Sequence, residues 1–319
     1  MTVLVTGASG MLGAATVRAL QARGDHVRVL QRRPSGLVGV EEVLGSVTDG
    51  GAVERACAGV DGVVHLAAKV SMTGPQAEFR HVNVDGTQRL LAAAGDVPFV
   101  FVSSPSVAHA GRALVGAGAG PADPVRARGS YARTKAAAEL LALEAGAVAV
   151  RPHLVWGPGD TQLVARIVAR ARAGRLALVG SGAALVDTTY VTNAADAMVA
   201  ALDRARELAG TAHVVTNGEP RPLAELVERI CAAAGAPAPT RHVPFRVAAA
   251  AGSLVEKVWP VVGPRVSGDD EPPMTRFLAE QLSTAHWFDQ RETRRALRWE
   301  PAVPLEQGFA LLAESYAAG

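Results

Sequence analysis

A chain of 319 residues is longer than one small core requires and points to about two domains. Hydrophobic residues make up 49% of it and the formal net charge is +2, which excludes a disordered chain. No basic patch interleaved with aromatics argues for nucleic acid, and no uncharged apolar run approaches the roughly 20 residues of a membrane span. The first strand pattern begins at residue 2, leaving no room for a leader, so a cytoplasmic protein is expected. Cys57 and Cys231 lie far apart in helical patterns and read as small buried hydrophobes, not as a disulfide or a metal pair.

The first element is the run Val3 to Gly13, VLVTGASGMLG. Val3, Leu4 and Val5 predict a strand buried on both faces, and Gly7, Gly10 and Gly13 punctuate the turn into a helix. Gly7 permits the turn, Gly10 lets a pyrophosphate approach, and Gly13 lets the helix pack on the strand. The free N–H groups of the helix start then attract phosphate. The spacing is G-x-x-G-x-x-G, not the usual dinucleotide pattern, and the alternative is a plain tight turn.

Strand patterns recur at Thr2 to Thr6, His26 to Gln31, Gly62 to Ala67, Phe99 to Ser103 and Ala147 to Arg151, with helical patterns between them. This alternation predicts an α/β fold, a doubly wound parallel sheet of the Rossmann kind. The first helix, about Leu12 to Arg23, ends at Gly24. The next strand ends at Gln31, where NAD enzymes of this architecture carry an acid; Arg32 and Arg33 follow and suit the extra phosphate of NADP. The alternative is that both arginines solvate a loop.

Asp61 to Ala68 runs into a small-residue turn, and Phe99 to Val107 empties into serines at the carboxyl edge of the sheet, where ligands bind in open α/β folds. Tyr131 and Lys135 lie four apart in a strongly helical run and so share a face. With three Tyr in the chain, and three Lys against twenty-nine Arg, this pair is unlike chance. A cation one turn from a phenol favours the phenolate, and Ser104 is placed to hold a substrate oxygen while Tyr131 moves the proton. An exposed i, i+4 pair is the bland alternative.

After residue 160 the alternation loosens. A helix is expected over Gln162 to Ala173 with Arg166, Arg170 and Arg172 to one side, and strands at Val186 to Val191 and Ala212 to Val215 are expected to return to the sheet. The expected division is a dinucleotide domain at 1–165 with 186–216 returning to it, and a smaller lobe from 166–185 and 217–319. Arg246 to Trp259 predicts an amphipathic helix stopped by Pro260, with Val247, Ala251, Leu254, Val255 and Val258 on one face, packed as core.

The chain resembles the extended short-chain dehydrogenase/reductases over nearly its whole length. The matching pieces are TGASGMLG from Thr6, HLAA from His65, NVDGT from Asn83, SSPSV from Ser103, YARTK from Tyr131 and RPHLVWGPGD from Arg151. The resemblance implies that Ser104 orients a carbonyl and Tyr131 is the acid/base. It implies that Lys135 binds the nicotinamide ribose and lowers the Tyr131 pKa, and that Asn83 supports a relay water. Cofactor contacts are implied for Gly7, Ser9, Gly10, Met11, Leu12, Gly13, Gln31, Arg32, Arg33, Leu66, Ala67, Ala68, Lys69, Pro152 and His153. Gly45-Ser46 departs from the family, which usually has Asp at the second position against adenine.

Within the family the chain is similar to the 3β-hydroxysteroid dehydrogenase-like branch, and especially to the 2-alkyl-3-oxoalkanoate reductases of bacterial long-chain olefin synthesis. RPHLVWGPGDTQLVARIVARARAGRLALVG, VDTTYVTNAADA and PPMTRFLAEQL followed by HWF carry that likeness. It implies an NADPH-dependent reduction of a 3-keto group; toward a lipophilic substrate the expected residues are Lys69, Ser106, Trp156 and Tyr190, with Val247, Leu254, Val258 and Trp259, which share one helical face, as walls for its chains and Arg166 or Arg170 for its carboxylate. KVSMTG at Lys69 to Gly74 lacks the aromatic expected over such a substrate. The competing functions are a steroid dehydrogenase, a nucleotide-sugar epimerase and a non-catalytic NADP sensor. Relatives pair through the helices at Asn83 to Ala94 and Tyr131 to Gly146, so a homodimer is expected.

Overall fold

The structure is a computed structural model that describes residues 1–71, 74–108, 111, 113–266 and 276–318. Met72 and Thr73 of the KVSMTG segment, and residues 272–275 of PPMTRFLAEQL, lie outside the described residues.

Seven strands form one parallel sheet in the order β3-β2-β1-β4-β5-β7-β12. In chain order the first elements are β1 (Thr2–Thr6), α1 (Met11–Ala22), β2 (His26–Gln31), β3 (Val40–Leu44), α2 (Gly50–Cys57) and β4 (Gly62–His65). Then come α3 (Gln76–Phe79), a π-helical turn at Arg80–Asp85, α4 (Gly86–Ala94), β5 (Phe99–Val102), β6 (Leu114–Ala117), α5 (Gly129–Glu144) and β7 (Val148–Pro152). The uninterrupted Val and Leu of these strands follow from helices covering both faces, because strand side chains alternate between the faces. Val3 and Val5 pack with Val17 and Leu20 of α1, whereas Leu4 packs with Val53 of α2 and Leu90 of α4. The strand order reverses between β1 and β4, which opens a crevice at their carboxyl ends.

The remaining elements are β8 (Val155–Trp156), α6 (Val164–Arg172), β9 (Ala177–Val179), β10 (Leu185–Val186), β11 (Thr189–Tyr190), α7 (Val191–Asp203) and β12 (Ala212–Val215). They continue with β13 (Arg221–Pro222), α8 (Leu223–Ala233), β14 (Arg241–Val243), α9 (Phe245–Val266), α10 (Arg276–Ser283), β15 (His286–Phe288), α11 (Arg291–Leu297) and α12 (Leu305–Ala317). β12 joins the large sheet beside β7, and α7 packs on that sheet opposite α2 and α4, as Met198 and Leu202 lie among Val3, Val5 and Val64.

The run Val186 to Val191 does not return to that sheet. β10 pairs with β13 and β15 in a small four-stranded sheet, and β11 pairs with β8. The run is divided at Asp187, whose carboxylate accepts hydrogen bonds from the Thr216 hydroxyl and the Glu219 N–H. Those bonds hold its backbone to the 216–219 turn.

Helix α9 also departs from expectation. It continues past Pro260 to Val266, since a proline removes one helical hydrogen bond while the residues on either side keep theirs. Its apolar stripe is not core: Val247, Leu254 and Val258 are 57%, 64% and 45% exposed, and the helix is seated instead on Ala248 and Gly252. Helical periodicity identified the shared face but not the side of the helix that meets the protein. Cys57 and Cys231 are buried free thiols. Among the described residues no helix is long and apolar enough to cross a membrane.

Candidate active site

At the end of β1, Gly7 has φ +76°, and a Cβ there would lie 2.8 Å from the Ala67 amide nitrogen. A Cβ on Gly13 would lie 2.2 Å from the Gly7 carbonyl oxygen, so α1 touches the turn backbone to backbone. Gly10 caps α1 without a side-chain hydrogen bond, which leaves the first-turn N–H groups facing the crevice.

The facing turn, Leu66 to Ala68, is fixed by a buried chain of hydrogen bonds. Thr6 Oγ1 accepts from Ala67 N–H at 3.1 Å and meets His65 Nδ1 at 2.7 Å, and His65 Nε2 meets Thr87 Oγ1 at 2.9 Å. Because the Thr87 hydroxyl donates to the Asn83 carbonyl, His65 Nε2–H donates to Thr87 and Nδ1 accepts from Thr6. Burial, aided by the Lys135 charge, pulls His65 down to about 3, so the ring is neutral.

At the end of β2, Gln31 is buried, its amide donating to Glu42 at 3.2 Å while its Oε1 has no partner. An orphaned acceptor at this strand end suits a ribose hydroxyl, and with the glycine turn it fits an adenine dinucleotide. Arg32 and Arg33 are exposed, and neither has an ion-pair partner among the described residues. Glu42 is an acid the sequence reading missed, because it arrives from β3. Its carboxyl, held below the usual range by Ser35 hydrogen bonds, clasps the loop that carries the two arginines. Ser46 bonds to Thr48 in its own turn.

Ser104 follows β5 and accepts hydrogen bonds from Ser106 N–H at 3.3 Å and Ser106 Oγ at 3.0 Å. Tyr131 and Lys135 share one face of α5 and line the same cavity as Ser104. Burial pushes the Tyr131 phenol up to about 12 and Lys135 down to about 7, the latter opposed by Glu139 one turn further on. The expected lowering of Tyr131 by Lys135 is therefore not found. The ammonium is turned back to the sheet, donating to the Val102 carbonyl at 2.6 Å and lying 3.9 Å from the centre of the Phe101 ring.

Asn83 sits in the π-helical turn, a local widening that recurs at functional sites. Its Oδ1 accepts from Lys69 N–H at 2.7 Å, and its Nδ2 donates to the Lys69 carbonyl and to Thr134 Oγ1 at 3.2 and 3.1 Å. The side chain thus clamps α5 to the segment after β4. Both of its amide N–H donors are engaged in that clamp.

The crevice is a cavity of about 980 Å³. Gly7, Gly10, Met11, Leu12, Gly13, Leu66, Ala68, Ser104, Ser106, Tyr131, Lys135 and Pro152 all line it. Ser9, Ala67, Lys69 and His153 do not: Ala67 lies beneath Gly7, Lys69 pairs with Glu78 at 2.9 Å, and His153 Nδ1 donates to the Asp187 carbonyl at 2.6 Å. Gln31, Arg32 and Arg33 also lie outside the cavity lining.

Trp156 and Tyr190, expected against substrate, are core. Trp156 stacks on Phe309 at 4.6 Å, meets Tyr190 edge-on at 5.4 Å and donates its indole N–H to Thr188. Val247, Leu254, Val258 and Trp259 do not reach the cavity, and of the two arginines expected at a carboxylate, Arg166 lines it and Arg170 does not. Sequence reasoning missed Ser103, Arg128, Ser130, Val155, Thr161 and Gln162, which do line it. Only the position of Ser103 beside Ser104, and of Arg128 and Ser130 beside Tyr131, could have signalled any of them. Ser103 Oγ is buried without a partner, a second orphan consistent with a ligand.

Residues 3–215 match the model of the NAD dependent epimerase/dehydratase family. The whole chain aligns with the whole of a 2-alkyl-3-oxoalkanoate reductase of Stenotrophomonas maltophilia at 42% identity over 337 aligned positions. With a 3-beta-hydroxysteroid dehydrogenase of Mycolicibacterium neoaurum the identity is 31%, covering 97% of this chain and 89% of that one. Among solved structures, gox2253 is similar with a TM-score of 0.78 at 24% identity, covering 99% of this chain and 98% of that one. A short-chain dehydrogenase/reductase superfamily protein from Agrobacterium tumefaciens with bound NAD gives 0.74 at 25%, covering 100% and 98%. The parallel sheet, the glycine turn, the Tyr-Lys pair on α5 and these likenesses agree: the chain belongs to the NAD dependent epimerase/dehydratase family of extended short-chain dehydrogenases/reductases and is an NAD(P)-dependent oxidoreductase.

Proposed function

We propose that this protein is an NADPH-dependent ketoreductase that converts the 3-keto group of a long-chain 2-alkyl-3-oxo acid to the alcohol, reversibly, as a step of olefin synthesis. The observation that carries the reading is one cavity holding Ser104, Tyr131 and the glycine turn, in a chain that aligns end to end with a 2-alkyl-3-oxoalkanoate reductase. A nicotinamide held in this cavity would supply the hydride. Tyr131, pushed up to about 12, stays protonated at neutral pH and serves as the proton donor to the ketone oxygen. The Ser104 hydroxyl shares that oxygen and orients it, with Ser106 supporting Ser104 from the same turn. Lys135 supplies positive charge behind the site, and Asn83 holds α5 in place.

NADPH is preferred in this reading because Arg32 and Arg33 are free to take a phosphate and Gln31 offers an acceptor to the neighbouring ribose hydroxyl. The large sheet with α7 and β12 serves the cofactor, and residues 166–185 and 217–319 form the substrate lobe. A cytoplasmic homodimer completes the reading. A second reading, a 3β-hydroxysteroid dehydrogenase, is favoured by the likeness to the M. neoaurum enzyme.

The test is turnover of the purified protein with NADPH and NADH on 2-alkyl-3-oxo acids of increasing chain length and on 3-oxosteroids. Burial of each methylene contributes about 0.8 kcal/mol, so kcat/KM is expected to rise about fourfold per carbon until the cavity is filled. A 3-oxosteroid that outperforms every branched acid, or an acid series without length dependence, favours the steroid reading.

A further inference from the structure

We propose that Arg128 is a carboxylate-binding subsite of this cavity, and that an acid substrate binds there by displacing the Glu280 carboxylate of α10. The inference rests on the proposed function for its ligand class and names the group that distinguishes an acid from a neutral ketone.

Arg128 and Tyr131 lie on one stretch of cavity wall, with Gly129 and Ser130 between them. Arg128 is the residue that caps α5, three positions before Tyr131. Residues three apart at a helix end place their Cβ atoms about 5 to 6 Å apart. In a 3-oxo acid the carboxyl carbon is only two C–C bonds, each about 1.5 Å, from the ketone carbon. A ketone held at Tyr131 therefore brings its carboxylate within the compass of an arginine on the same helix end.

The guanidinium already holds a carboxylate. Arg128 Nη1 donates to Glu280 Oε2, with the arginine side chain 43% exposed and the glutamate 12%. The planar group rests against Gly111, where a Cβ would come within 2.7 Å of the guanidinium carbon. The glycine is thus a shelf that a side chain would fill. Glu280 occupies the position a ligand carboxylate takes, so substrate binding exchanges one carboxylate for another and the arginine keeps a charged partner throughout.

The other charged groups of the cavity are engaged elsewhere. Lys135 is buried against the Val102 carbonyl, and Asp160 accepts the backbone N–H groups of Gln162, Leu163 and Val164, which spends its charge within its own turn. Arg166, on α6, adds positive field from another wall.

The test is direct binding, measured by calorimetry on the full-length protein, of a 2-alkylalkanoic acid that lacks the 3-oxygen and of its methyl ester. Arg128→Gln is expected to weaken the acid by about 10- to 100-fold and the ester by much less, since a charge-assisted hydrogen bond is lost only with the acid. Arg128→Lys is expected to recover part of that loss. Glu280→Gln removes the internal competitor and is expected to tighten the acid severalfold, a gain that misfolding cannot mimic. Equal weakening of acid and ester by Arg128→Gln, or unchanged acid binding in Glu280→Gln, overturns the subsite. If this binding pattern holds but the wild-type protein fails to oxidise the 2-alkyl-3-hydroxy acid, the subsite stands and the proposed function falls.

Discussion

Glu139→Gln is the substitution whose cost follows most directly from the structure. Glu139 lies on α5 one turn beyond Lys135 and is paired with Arg151 of β7, both side chains being 0% exposed. Arg151 Nε donates to Glu139 Oε2 at 2.9 Å, Nη2 donates to Oε1, and Nη1 donates to the carbonyls of Ala119 and Gly120. Glutamine keeps the volume and one acceptor but leaves a guanidinium charge uncompensated in the interior, which costs about 3 to 5 kcal/mol. Unfolding entropy of about 2.1 cal/mol/K per residue over 319 residues gives about 0.7 kcal/mol/K, so Tm is expected to fall by about 4 to 8 °C. Differential scanning calorimetry reads this directly. Glu139→Gln combined with Arg151→Met removes the orphaned charge and is expected to melt above the single variant. A single variant within about 1 °C of wild type, or a double variant that melts no higher than the single, refutes the argument. The same substitution tests the electrostatics of catalysis. Lys135 is held near 7 by burial, and Glu139 pushes it upward, so removing Glu139 lets the ammonium lose its proton at lower pH. The alkaline limb of the pH–rate profile is expected to move to lower pH, while unchanged limbs separate Glu139 from the catalytic charge.

Tyr131→Phe is expected to reduce kcat by about 10²- to 10⁴-fold with little change in cofactor affinity, since it removes a proton donor and keeps the ring; Ser104→Ala should cost less. Steady-state kinetics with cofactor titration checks both, and near-normal turnover of the Phe variant assigns the proton to another group. Arg32→Ala with Arg33→Ala should raise the Kd of NADPH and barely alter that of NADH, and equal losses for the two cofactors refute the phosphate fork. Gly13→Ala drives a methyl to 2.2 Å from the Gly7 carbonyl oxygen, a contact with backbone that no side-chain rotation relieves, so both cofactor binding and Tm should fall. Light scattering at micromolar concentration is expected to give a dimer mass, because Leu140 on α5 stays 43% exposed where the helix offers an apolar face; a monomer removes that expectation.

The sequence by itself determined what local spacing encodes. Val3 to Val5 followed by Gly7, Gly10 and Gly13 specified a buried strand and a tight turn into a helix, and the contacts of Gly7 and Gly13 in the structure are the reason no other residue fits there. A spacing of four positions from Tyr131 to Lys135 placed both on one helix face, because a helix turns in 3.6 residues. The five inner strands were legible because a strand covered on both faces carries Val, Leu and Phe on both sides of the pleat. β3 was not, since it is an edge strand with Glu41 and Glu42 exposed and so carries no such run.

Tertiary structure decided which partner each face or charge meets. Trp156 and Tyr190 looked like substrate walls, but Phe309, more than a hundred residues away, claims Trp156 for the core. Asn83 is engaged by Lys69 and Thr134 from two other elements, Glu42 reaches Gln31 from the neighbouring strand, and Arg128 meets Glu280 across 152 positions. The stripe of α9 was correctly periodic and yet faces outward. Periodicity is a property of one backbone, repeated every few residues and so written in the sequence, whereas partnership depends on where a distant segment packs, and no local spacing carries that information.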